Sequence, residues 1–174
     1  MKVAIVMGSD SDLTVMNEAV KTLNEFGVGS YVSVTSAHRT PDKVSVFLAE
    51  AEKQGCEVII AAAGMAAHLA GVMAAATIKP VIAVPMQGGA LNGVDALYSM
   101  VQMPQGIPVA TVAIGKAGAV NAAILAVQIM AVKEQALKEK LLAFKKKMAE
   151  TITKKDAELN SIGVEEYIKK YLQK

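Results

Sequence analysis

Residues 58–78, VIIAAAGMAAHLAGVMAAATI, carry no formal charge over 21 positions, which meets the length test for a membrane-spanning helix. The internal order of the segment argues otherwise. β-Branched residues gather at Val58-Ile59-Ile60, Gly64 and Gly71 interrupt the run, His68 stands in the middle, and nine of the residues are alanine. That order predicts a buried strand over 57–62, a turn, and an alanine-rich helix from about 66 to 77. A helix with almost no polar face is buried on every side, which in a chain this short points to burial against another subunit.

The same alternation recurs on both sides of this segment. Towards the amino terminus, KVAIVM (residues 2–7) reads as a buried strand ending at Gly8. Gly8-Ser9-Asp10-Ser11-Asp12 supplies turn and capping residues for a helix with Leu13, Met16, Val20 and Leu23 on one face, stopped by Gly27. Residues 31–35 form the second strand. Pro41 opens a helix that buries Val44, Phe47, Leu48 and Ala51 and ends at Gly55. Towards the carboxyl terminus, 81–85 is strand four, Gln87-Gly88-Gly89 a turn, about 94–102 a helix, and 109–114 strand five. One helical pattern then runs from about 118 to 150, apolar first and lysine-rich later, with a short helix after Ser161-Ile162-Gly163. Five alternations with continuously apolar strands predict an α/β fold: a three-layer αβα, doubly wound parallel sheet of flavodoxin-like strand order 2-1-3-4-5, with a long C-terminal helix. Residues 1–132 make the α/β domain, and 133–174 a helical extension packing on that domain or on a neighbouring subunit.

Charge separates these two parts. Residues 1–132 hold seven basic and nine acidic side chains, and 133–174 hold eleven and seven. The tail lysines alternate with acids, tryptophan is absent and aromatics are 4%, so a solvated helix face explains them better than a nucleic-acid surface. The single Cys56 forms no internal disulfide, and Met1-Lys2 leads directly into a strand, so a cytoplasmic protein is expected.

In a sheet of this order, ligands bind outside the carboxyl ends of the strands. Three loops meet there. The first carries Ser9, Ser11 and Asp12, with hydroxyls and helix-start N–H groups suited to phosphate and a carboxylate suited to sugar hydroxyls; the plainer reading is that Asp10 and Asp12 cap the helix. The second, Ser36-Ala37-His38-Arg39-Thr40-Pro41, sets one of two histidines beside the only arginine, a proton carrier next to an anion-binding fork, or else a helix cap with a surface ion pair. The third places His68 among alanines, as a site group or a satisfied core residue. No phosphate-binding Gly-x-x-x-x-Gly-Lys loop, dinucleotide fingerprint or metal-spaced Cys/His cluster is present, so no cofactor or metal is expected. A receiver-type signalling domain fails because Ala61-Ala62-Ala63-Gly64 stands where its phosphoacceptor aspartate belongs.

These loops, together with Ala63-Gly64-Met65-Ala66-Ala67-His68-Leu69, the run Val101-Gln102-Met103-Pro104-Gln105-Gly106-Ile107-Pro108-Val109-Ala110-Thr111, and Asn121-Ala122-Ala123, closely resemble the N5-carboxyaminoimidazole ribonucleotide mutase family, the PurE-type enzymes of purine biosynthesis. The match spans roughly residues 3–132. Met65 stands where the family has a second glycine, and Ala70 where it has proline. The resemblance implies an isomerase that needs no cofactor or metal and moves a carboxyl group from the exocyclic nitrogen of the ribonucleotide to a ring carbon. His38 is then the proton shuttle, Ser9, Ser11, Asp12 and Arg39 bind the ribonucleotide, and His68 belongs to the wall of a carbon dioxide pocket with Ala66, Ala67 and Leu69. It also implies an octamer with sites at subunit contacts. Direct carboxylation of the unmodified ribonucleotide, and a catalytically silent ribonucleotide-binding module, are the alternatives.

Overall fold

A computed structural model of the chain, which describes residues 1–173, contains a five-stranded, wholly parallel sheet in the order β2-β1-β3-β4-β5. The strands are β1 (Lys2–Met7), β2 (Gly29–Val34), β3 (Cys56–Ala63), β4 (Val81–Pro85) and β5 (Ala110–Thr111). Helices α1 (Leu13–Glu25), α2 (Lys43–Lys53), α3 (Leu69–Ala75), α4 (Val94–Val101) and α5 (Lys116–Ala131) connect or follow them, and α6 (Gln135–Ile162) and α7 (Val164–Tyr171) complete the chain. The expected α/β architecture and strand order are those observed.

Side-chain alternation along each strand divides the core into two layers. Ala4, Val6, Ile59, Ala61, Val81 and Ala83 pack with Val44, Phe47 and Ala51 of α2, Leu69 and Met73 of α3, and Ala96 and Met100 of α4. Val84 faces the opposite way and meets α5 at Gly118, where a Cβ would stand 3.2 Å from Val84 Cγ1 and would collide with the Ala113 carbonyl. Alanine and glycine dominate the buried side of α5, including Ala119, Ala122, Ala123 and Ala126. Small side chains allow that helix to lie close against the sheet.

Several boundaries differ from the sequence reading. The uncharged 58–78 segment is cut into β3, a turn and a seven-residue α3 that begins at Leu69 rather than near 66, and none of the helices among the described residues is long and apolar enough to cross a membrane. In the single chain the segment leaves Val72 and Ile78 exposed. Helix α2 starts at Lys43, because Thr40 first folds back on Ser36 through its N–H (2.8 Å) and hydroxyl (3.1 Å) to the Ser36 carbonyl. Leu13 is exposed, and the buried face of α1 is Met16, Ala19, Thr22 and Leu23. Strand β2 lies at the sheet edge and is only half-buried, unlike the continuously buried β1, β3 and β4.

The helical pattern over 118–150 is two helices, broken at 132–134, where Glu134 is extended (φ −108°, ψ 99°). No glycine or proline marks that break, so residue periodicity runs through it. The chain divides into two compact units, Met1–Met130 and Ala131–Lys174. In the second, Gly163 (φ 81°) turns α6 into α7, and Glu158 accepts hydrogen bonds from Lys170 Nζ (2.8 Å) and the Tyr171 hydroxyl (2.5 Å).

Gly118 supplies a sharp test of the close α5 packing. A Gly118→Ala chain is expected to lose about 3 kcal/mol or more in denaturant unfolding, because backbone must move to admit the methyl group. At Gly29 a Cβ meets nothing nearer than 3.7 Å, so Gly29→Ala is expected to stay within about 0.5 kcal/mol of the parent.

Candidate active site

The three expected loops do converge at the carboxyl end of the sheet, around a cleft of about 550 Å³ lined by Ser9, Ser11, Asp12, His38, Arg39 and His68 among others. That volume suits a small-molecule ligand. A fourth loop, Met86 to Gly89 after β4, forms the remaining wall. Residue pattern marks it only as a turn. The signal was present: Gly88-Gly89 follows directly on the strand that neighbours β3, so its loop must lie beside the third one.

The first loop is a capped turn. Ser9 is extended, and its hydroxyl accepts from the Ser11 N–H (3.3 Å) while the Ser11 hydroxyl lies 2.9 Å away. The Asp12 N–H donates to the Ser9 carbonyl at 3.3 Å. The N–H groups of Ser11 and Asp12 are thus partnered within the turn rather than offered to a phosphate, and both serines line the cleft. Burial pushes the Asp12 carboxyl above its ordinary range, Asp10 adds to that, and hydrogen bonds from Ser11 and Ser9 oppose it.

Arg39 ties the second loop to the first. Its Nη2 donates to the Gly8 carbonyl at 2.9 Å and its Nε to Ser36 Oγ at 3.3 Å. A guanidinium carries five N–H groups, so those bonds leave donors for an anion while fixing the plane of the fork. His38 then reaches across to the third loop: its Nε2 lies 2.7 Å from His68 Nδ1, with the rings edge to face at 88°. His68 is exposed and partnered by the other histidine, so the alternative of a satisfied core residue does not hold. A hydrogen bond between two ring nitrogens holds one proton, which ties the tautomer of each ring to that of the other.

The third loop makes two tight turns, Ala67 N–H to the Met65 carbonyl and His68 N–H to the Ala66 carbonyl, each 2.9 Å. They aim Ala66, His68 and Leu69 into the cleft and turn Ala67 into the core, where it is 2% exposed. Ala67 is therefore not part of the pocket wall. Ala70 falls in the first turn of α3, where a proline would fit because that N–H has no partner within the helix.

The model of the AIR carboxylase family matches residues 2–151. This chain belongs to that family. Its similarity to individual members is extensive: it is 51% identical over 166 residues to the N5-carboxyaminoimidazole ribonucleotide mutase of Pyrococcus horikoshii, covering 95% of this chain and 93% of that one. With the mutase of Escherichia coli K12 it shares 53% over 151 residues, 87% and 89% of the two chains. It also matches the phosphoribosylaminoimidazole carboxylase of Candida glabrata at 49% over 166 residues, 95% of this chain but 29% of that larger protein. Among solved structures, the crystal structure of Treponema denticola PurE superposes with a TM-score of 0.83 at 29% identity, over 91% of this chain and 98% of that one.

Asp12 is expected to cost stability at neutral pH. Its folded carboxyl holds a proton more readily than in the unfolded chain, so ionised Asp12 disfavours folding above its folded pKa, and that penalty fades as pH falls through the ordinary carboxylate range. Asp12→Asn should accordingly unfold at higher denaturant than the parent at neutral pH, with the difference vanishing in acid. A pH series of unfolding midpoints checks this.

Proposed function

We propose that this chain interconverts N5-carboxyaminoimidazole ribonucleotide and 4-carboxy-5-aminoimidazole ribonucleotide in de novo purine biosynthesis, as an isomerase with His38 as its proton shuttle. Identity near one half over almost the whole chain to enzymes of that activity carries the reaction, and the imidazole pair at the cleft supports the residue assignment.

The chemistry needs one proton carrier used twice. As the carbon–nitrogen bond of the carbamate breaks, protonated His38 delivers its proton to the exocyclic nitrogen and carbon dioxide is freed. The enamine electrons of the ring then form the new carbon–carbon bond to carbon dioxide, and the ring C–H proton returns to His38. An imidazole both gives and takes a proton near neutral pH, which suits both directions. Ser9, Ser11 and the remaining donors of Arg39 suit the phosphate, and Asp12 suits the ribose hydroxyls. His68 holds the His38 ring through the 2.7 Å bond.

The expected result for purified protein is conversion of the N-carboxylated to the C-carboxylated ribonucleotide without added bicarbonate. His38→Asn should lower kcat by roughly a hundredfold or more with binding retained, and His68→Leu should lower kcat by a smaller factor. Conversion that starts from the unmodified ribonucleotide and requires bicarbonate would assign direct carboxylation, the activity in the name of the Candida relative. Binding of both compounds without turnover would leave a binding module.

The active form is a homo-oligomer, an octamer, working in the cytoplasm. Exposed Val72, Ile78, Tyr98 and Val101 in the single chain support assembly. Light scattering of the parent should report an octameric mass, reduced by Tyr98→Lys together with Val101→Lys; a monomeric parent removes this reading, and fractionation of cells checks the compartment.

A further inference from the structure

His38 and Arg39 are both exposed, so packing in the core does not hold either of them. The turn they stand on is closed by hydrogen bonds instead. Just past β2, the Thr35 N–H reaches the Met7 carbonyl of β1 (2.9 Å). One residue on, the Ser36 N–H goes to Thr40 Oγ1 at 3.0 Å, and the same hydroxyl donates to the Ser36 carbonyl at 3.1 Å. The Thr40 N–H joins that carbonyl at 2.8 Å. Residues 36–40 are thus closed on themselves by three bonds, two of which use one hydroxyl as acceptor and as donor. β-Branching stiffens the Thr40 side chain about χ1, and Pro41 disfavours helical backbone at the residue before it, so the turn is not absorbed into α2. Thr40 itself is half-buried and does not line the cleft.

We propose that Thr40 is a positioning residue for the proton shuttle: from outside the cleft, its hydroxyl fixes the turn that aims the His38 imidazole. The inference rests on the mutase reading above and deepens it. The two site residues on the turn depend on it unequally. Arg39 has ties that do not use the Thr40 hydroxyl, from Nη2 to the Gly8 carbonyl and from its N–H and Nε to Ser36 Oγ. Beyond the turn, the His38 side chain is held by its bond to His68, which is exposed too. A shuttle that serves the exocyclic nitrogen and then the ring carbon presents one imidazole to two atoms of the same ligand, so an error in ring placement is felt in both steps. Misplacement by about 1 Å through a change away from the chemistry can cost roughly a hundredfold in rate. Valine has nearly the shape of threonine, yet it removes both hydroxyl bonds and leaves the Ser36 N–H without that partner.

The test measures kcat and KM on the N-carboxylated ribonucleotide for wild type, Thr40→Val, Thr40→Ala and Thr40→Ser, with thermal unfolding of each, and repeats Thr40→Val in a His38→Asn background. Thr40→Val and Thr40→Ala are expected to lower kcat by about tenfold while KM stays within about twofold, because the Arg39 ties persist. Either of these two variants suffices where the other is unfolded at the assay temperature. Thr40→Ser keeps the hydroxyl and is expected to hold kcat within about threefold of wild type. In the His38→Asn background the loss caused by Thr40→Val is expected to disappear, since no imidazole remains to be aimed. A kcat that falls by the same factor with and without His38, or a KM that rises as far as kcat falls, marks general loosening of the fold and overturns the positioning role. Wild-type kcat in both Thr40→Val and Thr40→Ala overturns it as well, and leaves the mutase reading standing. Absence of product from wild type overturns the mutase reading, and this inference with it.

Discussion

Met7 is paired on both sides, to Val34 of β2 and to Ala62 of β3. Inside a parallel sheet that double pairing sets the level at which three loops leave their strands, since every strand runs the same way and ends on the same side. The Gly8 N–H continues it to the Ala62 carbonyl (3.1 Å), and the Thr35 N–H to the Met7 carbonyl (2.9 Å). Gly8 and Ser36 therefore start their loops side by side. The Arg39 bond to the Gly8 carbonyl can form only because the ladder has already brought that carbonyl within reach.

The site is narrow because its walls are made of small residues. Ala61, Ala62 and Ala63 end β3, and Gly64 follows with Met86 packed 3.6 Å from where its Cβ would stand. Gly93 opens α4 at φ 91°, with the Met86 carbonyl 2.9 Å and Ile114 Cγ2 2.8 Å from its Cβ position. Larger residues at these points would separate the loops after β3 and β4.

The sequence already shows most of this arrangement. Glycine and β-branched residues mark the strand ends around His38 and His68, and an apolar run buried on both faces has few architectures open to it. Two features are absent from residue patterns. The break at 132–134 has no helix breaker, and the start of α3 at Leu69 depends on two turns made by residues that also favour helix. Each is decided by backbone hydrogen bonds, which composition does not report.

Residue order by itself determined the α/β class and the strand order, and it pointed to the loops whose Ser9, Ser11, Asp12, His38, Arg39 and His68 line one cleft in the structure, because hydrophobic periodicity and turn chemistry are local properties. Tertiary structure alone decided that His38 and His68, 30 positions apart, share one hydrogen bond. It alone decided that Ala67 turns inward while Ala66 does not, and that Met65 of the loop after β3 packs beside Gly89 of the loop after β4. Those outcomes depend on register between strands distant in sequence, and register is set by the whole sheet.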